Sequence, residues 1–199
     1  IQSMTTTKTS DVEKTVAQIA ALENAGGEIV RVAVSDEVDA LAVKSVKEKI
    51  RIPLVADIHF SPKLAVMDIE NGADKVRINP GNIGGEKEIQ YVADCVKAHK
   101  IPVRVGSNTG SIEKNFLEKY GRSERALVES ALYNVGVLEK FGVNDIVISV
   151  KASDVPLTVR AYSLLSTLTD YPLHLGVTEA GTTEAGIVKS AVGIGSLLL

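Results

Sequence analysis

Four cations stand in or just after separate β-branched runs: Arg31 in 28–34, Arg77 in 73–78, Arg104 in 101–105 and Lys151 directly after 144–150. Asp57 with His59, Asn79, Asn108, and Thr178 with Glu179 fall at equivalent places along the chain. Like charges collected at one rim repel one another, so an anionic ligand is expected to offset them. Arginine presents a planar fork that matches phosphate oxygens in pairs, each charge-assisted contact being worth roughly 1.5–3 kcal/mol. The glycine-rich stretches 81–85 and 106–110 are expected as loops that add backbone N–H groups to such a cradle. The ligand that suits this chemistry is a small polyanion, a diphosphate foremost. Taken singly, each residue also has a plainer reading. An arginine at a strand end serves equally as a rim salt bridge. Lys151 reads as a phosphate cation or as a Schiff-base amine, because an apolar setting favours the uncharged amine. Glu179 reads as a general acid or base, or as a cap at a helix N-terminus.

The elements that would position these residues alternate regularly. Runs rich in Val and Ile at 28–34, 53–57, 73–78, 101–105, 144–150 and 172–178 read as strands, with 1–4 as the tail of a first one. Helical patterns lie between them. Ser10 with Glu13 suggests a capping box ahead of Val12, Val16 and Ile19, with an exit at Gly26. Ser61-Pro62 places a cap and a first-turn proline ahead of Leu64 and Ile69, with a stop at Gly72. Val38, Leu41, Ala42 and Val46 predict one buried stripe, and Ile89, Val92 and Val96 another. Strand starts roughly 20 to 28 residues apart fit βα units, and hence an α/β fold with parallel strands. A doubly wound dinucleotide binder should carry a Gly-x-Gly-x-x-Gly turn after its first strand, and residues 2–7 carry none. The reading is therefore a TIM-type (β/α)8 barrel, incomplete here. It has about seven strands against the eight that a complete barrel forms in roughly 250 residues. Apolar ends at Ile1 and Leu197–Leu199 predict one barrel domain over residues 1–199, cut at both ends from a longer protein with the eighth strand beyond Leu199.

Composition narrows the partners. The chain has 199 residues, is 45% hydrophobic and 24% charged, and carries a net charge of −3, which argues against a nucleic-acid binder. No apolar run approaches the length of a membrane span, and no secretory segment is evident, so the cytoplasm is the expected compartment. The single cysteine, Cys95, excludes a disulfide framework and by itself builds no zinc or iron–sulfur site. Cys95, His99 and His174 read as structural.

Seven strings carry a resemblance to a known family. Gln2-Ser3-Met4-Thr5, Ala56-Asp57-Ile58-His59-Phe60, Val76-Arg77-Ile78-Asn79-Pro80-Gly81-Asn82-Ile83-Gly84 and Val103-Arg104-Val105-Gly106-Ser107-Asn108 are similar to the 4-hydroxy-3-methylbut-2-enyl diphosphate synthases. So are Ser149-Val150-Lys151-Ala152-Ser153-Asp154, Leu175-Gly176-Val177-Thr178-Glu179-Ala180-Gly181 and Gly193-Ile194-Gly195-Ser196-Leu197-Leu198, all in the family's order. The resemblance implies an enzyme of the methylerythritol phosphate route to isoprenoids. That family reductively opens and dehydrates 2-C-methyl-D-erythritol 2,4-cyclodiphosphate, using a 4Fe-4S cluster supplied with electrons by flavodoxin or ferredoxin. It implies that Arg31, Arg77, Arg104, Asn108, Lys151 and His59 bind the substrate, and that Glu179 and Asp57 form the catalytic pair, Glu179 through proton transfer. It further implies a homodimer in which one subunit's cluster domain covers the partner's barrel. In the family the cluster hangs on three cysteines and a glutamate of a carboxy-terminal domain, and none of those cysteines is matched here. This chain alone is therefore expected to capture substrate without reducing it. Three other readings stay open: a class I aldolase acting through Lys151 on a sugar phosphate, a non-catalytic phosphate-binding barrel, and a pterin-binding-type barrel making folate precursors, which explains the anion site but not these strings.

Overall fold

β-Branched runs sealed on both sides become parallel strands, and in the computed structural model, which describes residues 1–58 and 60–199, six strands join one sheet in their order along the chain. A doubly wound sheet reverses at a switch point, whereas a βα barrel adds each strand beside the last. The chain divides into two units, Ile1–Arg104 with Leu138–Asp145, and Val105–Val137 with Ile146–Leu199.

The first unit runs β1 (Gln2–Met4), α1 (Val12–Asn24), β2 (Ile29–Ala33), α2 (Glu37–Lys47), β3 (Leu54–Asp57), α3 (Pro62–Glu70), β4 (Lys75–Ile78), α4 (Pro80–Ile83) and α5 (Glu86–His99). Its ladders β1–β2, β2–β3 and β3–β4 are parallel. Alternate residues of a strand share a face, so the register lays side chains out in rows. One row is Met4, Arg31, Val55 and Lys75, and the next is Ala33, Asp57 and Arg77. On the other face of β2, Val30 and Val32 are completely buried.

Caps set the helix starts. Ser61 accepts from Leu64 N, with Pro62 in the first turn, as the sequence suggests. The cap of α1 is Asp11, which accepts from Lys14 N, rather than the expected Ser10; the Ser10 N–H instead donates to Asp39 at 2.9 Å. Asp39 also accepts from Ser35 N, and this polar anchor turns Asp39, Ala40, Val43 and Val46 inward. The expected stripe on α2 is thereby rotated, leaving Val38 and Leu41 62% and 61% exposed. On α5 the expected Ile89, Val92 and Val96 are buried. On α3, Asp68 is fully buried with neither carboxylate oxygen hydrogen-bonded. Burial, and secondarily the charge of Asp39, push its pKa up to about 8.

β5 (Val103–Asn108) begins in the first unit and continues into the second, which adds α6 (Lys114–Tyr120), α7 (Glu124–Lys140, its end in the first unit), β6 (Ile146–Lys151), α8 (Val155–Ser166) and α9 (Thr183–Leu198). The expected seventh strand at 172–178 contracts to a single parallel bridge between Leu173 and Ile148. Its ladder starts normally: Ile148 N donates to Pro172 O at 3.0 Å and His174 N to Ile148 O at 2.8 Å. The next rung would join Val150 N to His174 O. The Tyr162 hydroxyl of α8 is wedged there instead, accepting from Val150 N at 3.3 Å and donating to His174 O at 2.5 Å. Among the described residues no helix is long and apolar enough to cross a membrane.

Candidate anion-binding site

The register places Asp57 beside Arg77 and one row from Arg31 on the same face. Its two oxygens divide between them: Oδ1 lies 3.1 Å from Arg77 Nη1 and Oδ2 lies 3.4 Å from Arg31 Nη1. Two guanidinium charges thus meet one carboxylate, and the cluster keeps a surplus of positive charge. Donors are in surplus as well, since the Nε atoms of Arg31 and Arg77 are buried and make no hydrogen bond. Arg31 Nη2 points at the Met4 thioether, 2.9 Å away. Burial lowers the Arg31 pKa, Asp57 raises it, and Arg77 lowers it again. The guanidinium stays charged regardless, because its ordinary value lies so far above neutrality.

Arg104 was expected at a strand end, but β5 runs on to Asn108, so Arg104 is its second residue and only 1% exposed. Lys75, which the sequence reading overlooks, lies in the Arg31 row and is half-buried. Its amine pKa is lowered by burial and by the charge of Arg104, with Asp145 pulling it back up.

The glycine-rich stretches are not the open loops expected. Gly106, Ser107 and Asn108 belong to β5, where the Ser107 hydroxyl meets that of Ser130 at 3.0 Å. Residues 80–83 form the short α4, and Gly85 caps α5. Their N–H groups are already engaged: Gly81 N donates to Asn79 Oδ1 at 3.1 Å and Gly85 N to Glu88 Oε2 at 3.0 Å. A turn that spends its N–H groups on its own side chains makes a poor phosphate cradle. His59 lies outside the described residues.

In the second unit, Lys151 ends β6, and its carbonyl accepts from Thr109 N at 3.2 Å. Gly176 packs closely beside it: a Cβ there would stand 2.9 Å from Lys151 Nζ, the movable end of a flexible side chain. Asn108 ends β5, and its backbone is tied to the Ser111 hydroxyl, 3.2 Å from both its N and its O. Glu179 is exposed and holds a left-handed φ of +50°. It is not the helix cap of the plainer reading, since Thr182 caps α9 by accepting from Ala185 N.

Residues 1–199 match the family described as the GcpE TIM-barrel domain. The chain belongs to that family. Among curated relatives, this GcpE barrel is 60% identical over 199 residues to the 4-hydroxy-3-methylbut-2-en-1-yl diphosphate synthase (flavodoxin) of Caldanaerobacter subterraneus subsp. tengcongensis, covering 100% of the chain and 56% of the relative. It is 56% identical to the protein of the same name from Exiguobacterium sibiricum, covering 100% of the chain and 54% of the relative. The chain therefore spans about half the length of the curated relatives it matches. Among solved structures, the dihydropteroate synthase of Xanthomonas albilineans superposes with a TM-score of 0.65 at 13% identity, over 98% of this chain and 79% of that one. At that identity the likeness concerns the fold alone.

The side chains of the GcpE barrel do not fit an iron–sulfur cluster. Four-iron clusters are held by several thiolates, and the chain has one cysteine. Cys95 sits half-buried on α5, its Sγ 3.7 Å from His99 Nδ1, with its thiol pKa raised by burial and by Glu70. Among the described residues no group of three or more His, Cys, Asp or Glu is arranged to hold a metal ion.

Proposed function

We propose that this GcpE barrel is the substrate-binding part of a 4-hydroxy-3-methylbut-2-en-1-yl diphosphate synthase and seats the diphosphate of the cyclic substrate. One observation carries the reading: Asp57 bridges Arg31 and Arg77 while leaving buried guanidinium N–H donors unused. Unused donors beside surplus positive charge favour a phosphate, which supplies the missing acceptors and the missing charge together. Relatives bearing the synthase name at 56–60% identity support the choice of substrate.

In this reading Arg31, Arg77, Arg104 and Lys151 neutralise the diphosphate, and Asn108 and His59 orient it. Charge stabilisation then helps as a phosphate oxygen leaves carbon. Glu179 exchanges a proton at the opened carbon. Asp57 departs from the catalytic role its motif suggests: with its oxygens on two arginines, it sets their spacing. The cluster ligands and reduction by flavodoxin or ferredoxin belong to the synthase's cluster domain, and in the homodimer the partner's cluster domain covers this barrel.

Calorimetric titration with 2-C-methyl-D-erythritol 2,4-cyclodiphosphate tests the reading. The chain should bind, and Arg77→Met should bind roughly 10- to 100-fold more weakly, the loss of one charge-assisted contact. No binding, or equal binding by the variant, would overturn it.

A further inference from the structure

The β1–β2 register sets Met4 directly opposite Arg31, and the Met4 Sδ lies 2.9 Å from Arg31 Nη2. A thioether is a soft, weak acceptor, so the hydrogen bond that Nη2 donates to it is readily given up for a stronger acceptor. The other restraints on Arg31 are one ion pair to Asp57 at 3.4 Å, the longer of that carboxylate's two, and a buried Nε with no hydrogen bond. Met4 is half-buried, like the rest of β1, so part of the residue stays open to solvent. A strong acceptor at the Met4 position would change this balance at once.

We propose that Met4 is an oxidation-sensitive positioning residue: its thioether leaves Arg31 free to turn to a phosphate, and its sulfoxide captures Arg31 and weakens the anion site. The proposal rests on the anion-binding reading of the Asp57 cluster. The chemistry needs only a peroxide. The sulfur lone pair attacks one oxygen of hydrogen peroxide, the O–O bond breaks, a sulfoxide forms and water leaves; sulfur loses two electrons and the peroxide gains them. The new oxygen is a far better acceptor than sulfur and faces a guanidinium, so the N–H···O bond is charge-assisted. A phosphate must then break that bond before Arg31 can serve it.

The chain contains two methionines and one cysteine, so a Met67→Leu, Cys95→Ser background leaves Met4 as the only sulfur. In that background, inorganic pyrophosphate is titrated by calorimetry before and after peroxide treatment, with peptide masses locating the added oxygen at residue 4. Oxidation should weaken binding about tenfold, and a methionine sulfoxide reductase should restore it. Met4→Leu keeps the volume, so it should bind within about threefold of the parent and ignore peroxide. Met4→Gln places a carbonyl oxygen near Arg31 and should bind weakly without any oxidant. Thermal melts of both variants check that folding is intact. Failure of the unoxidised parent to bind pyrophosphate would overturn the anion-site reading, and this proposal with it. Normal binding that survives complete oxidation of Met4 would overturn this proposal alone, as would a Met4→Leu variant as weak as the oxidised protein.

Discussion

A carboxylate held between two guanidiniums keeps them apart and aims them. Removing its charge leaves Arg31 and Arg77 repelling each other across a site where both Asp57 and Arg77 are buried. Asp57→Asn should therefore lower stability by about 3 kcal/mol, read from urea unfolding; an unchanged midpoint would show that the two ion pairs contribute nothing. Asp68 is the opposite case, a buried carboxyl with no partner. Between its ordinary value of 3.8 and its folded value of about 8, the unfolded chain has lost the proton and the folded chain keeps it. Stability must then fall as pH rises through that window and level off above it, by at most about 1.4 kcal/mol per pH unit. Asp68→Asn should remove this slope. Urea midpoints of wild type and variant at pH 5, 7 and 9 should diverge up to about pH 8; curves parallel throughout would clear Asp68 of the effect. Of these residues the sequence discloses the charges at Arg31, Asp57 and Arg77, since each sits in a β-branched run. That one carboxylate serves both arginines depends on strand register, which no local pattern encodes. Lys75 was open to detection, lying two residues before Arg77 and so on its face. Met4 gave no such signal, because its role exists only through its neighbour across the ladder.

At the scale of elements, local signals read well where one interaction decides the outcome and badly where two compete. Ser61-Pro62 starts α3 as expected because cap and proline agree. The face of α2 was misread because apolar spacing competes with Asp39, which binds two loop N–H groups and wins. Likewise 172–178 has the composition of a strand, yet the Tyr162 hydroxyl occupies its third rung. The reach of β5 past Arg104 was hidden because Gly106-Ser107-Asn108 reads locally as a turn. Packing between β6 and the segment carrying Gly176 yields a further prediction. In Gly176→Ala the new methyl meets the flexible end of Lys151, which can swing aside, so stability should change by less than about 1 kcal/mol. The amine is displaced all the same, and pyrophosphate affinity should drop several-fold, about 1 kcal/mol. Affinity unchanged in a well-folded variant would overturn the phosphate-binding role proposed for Lys151.

For the molecule as a whole, the mapped chemistry is lopsided: abundant positive charge for an anion and a single thiol. Anaerobic reconstitution with iron and sulfide, followed by iron analysis, should leave this chain with well under one four-iron cluster per molecule; stoichiometric iron would contradict the donor set described above. The sequential strand order has a consequence in time. Gln2 pairs with Ile29, Val30 with Leu54 and Val55 with Lys75, so each ladder closes across a short stretch of chain. A ribosome adds about 5–20 residues per second, so each strand can dock on its predecessor within seconds of emerging. Along that nascent chain Arg31 comes first, Asp57 second and Arg77 last. The counter-charge is in place before the second guanidinium arrives, and assembly never has to bring the two arginines together bare.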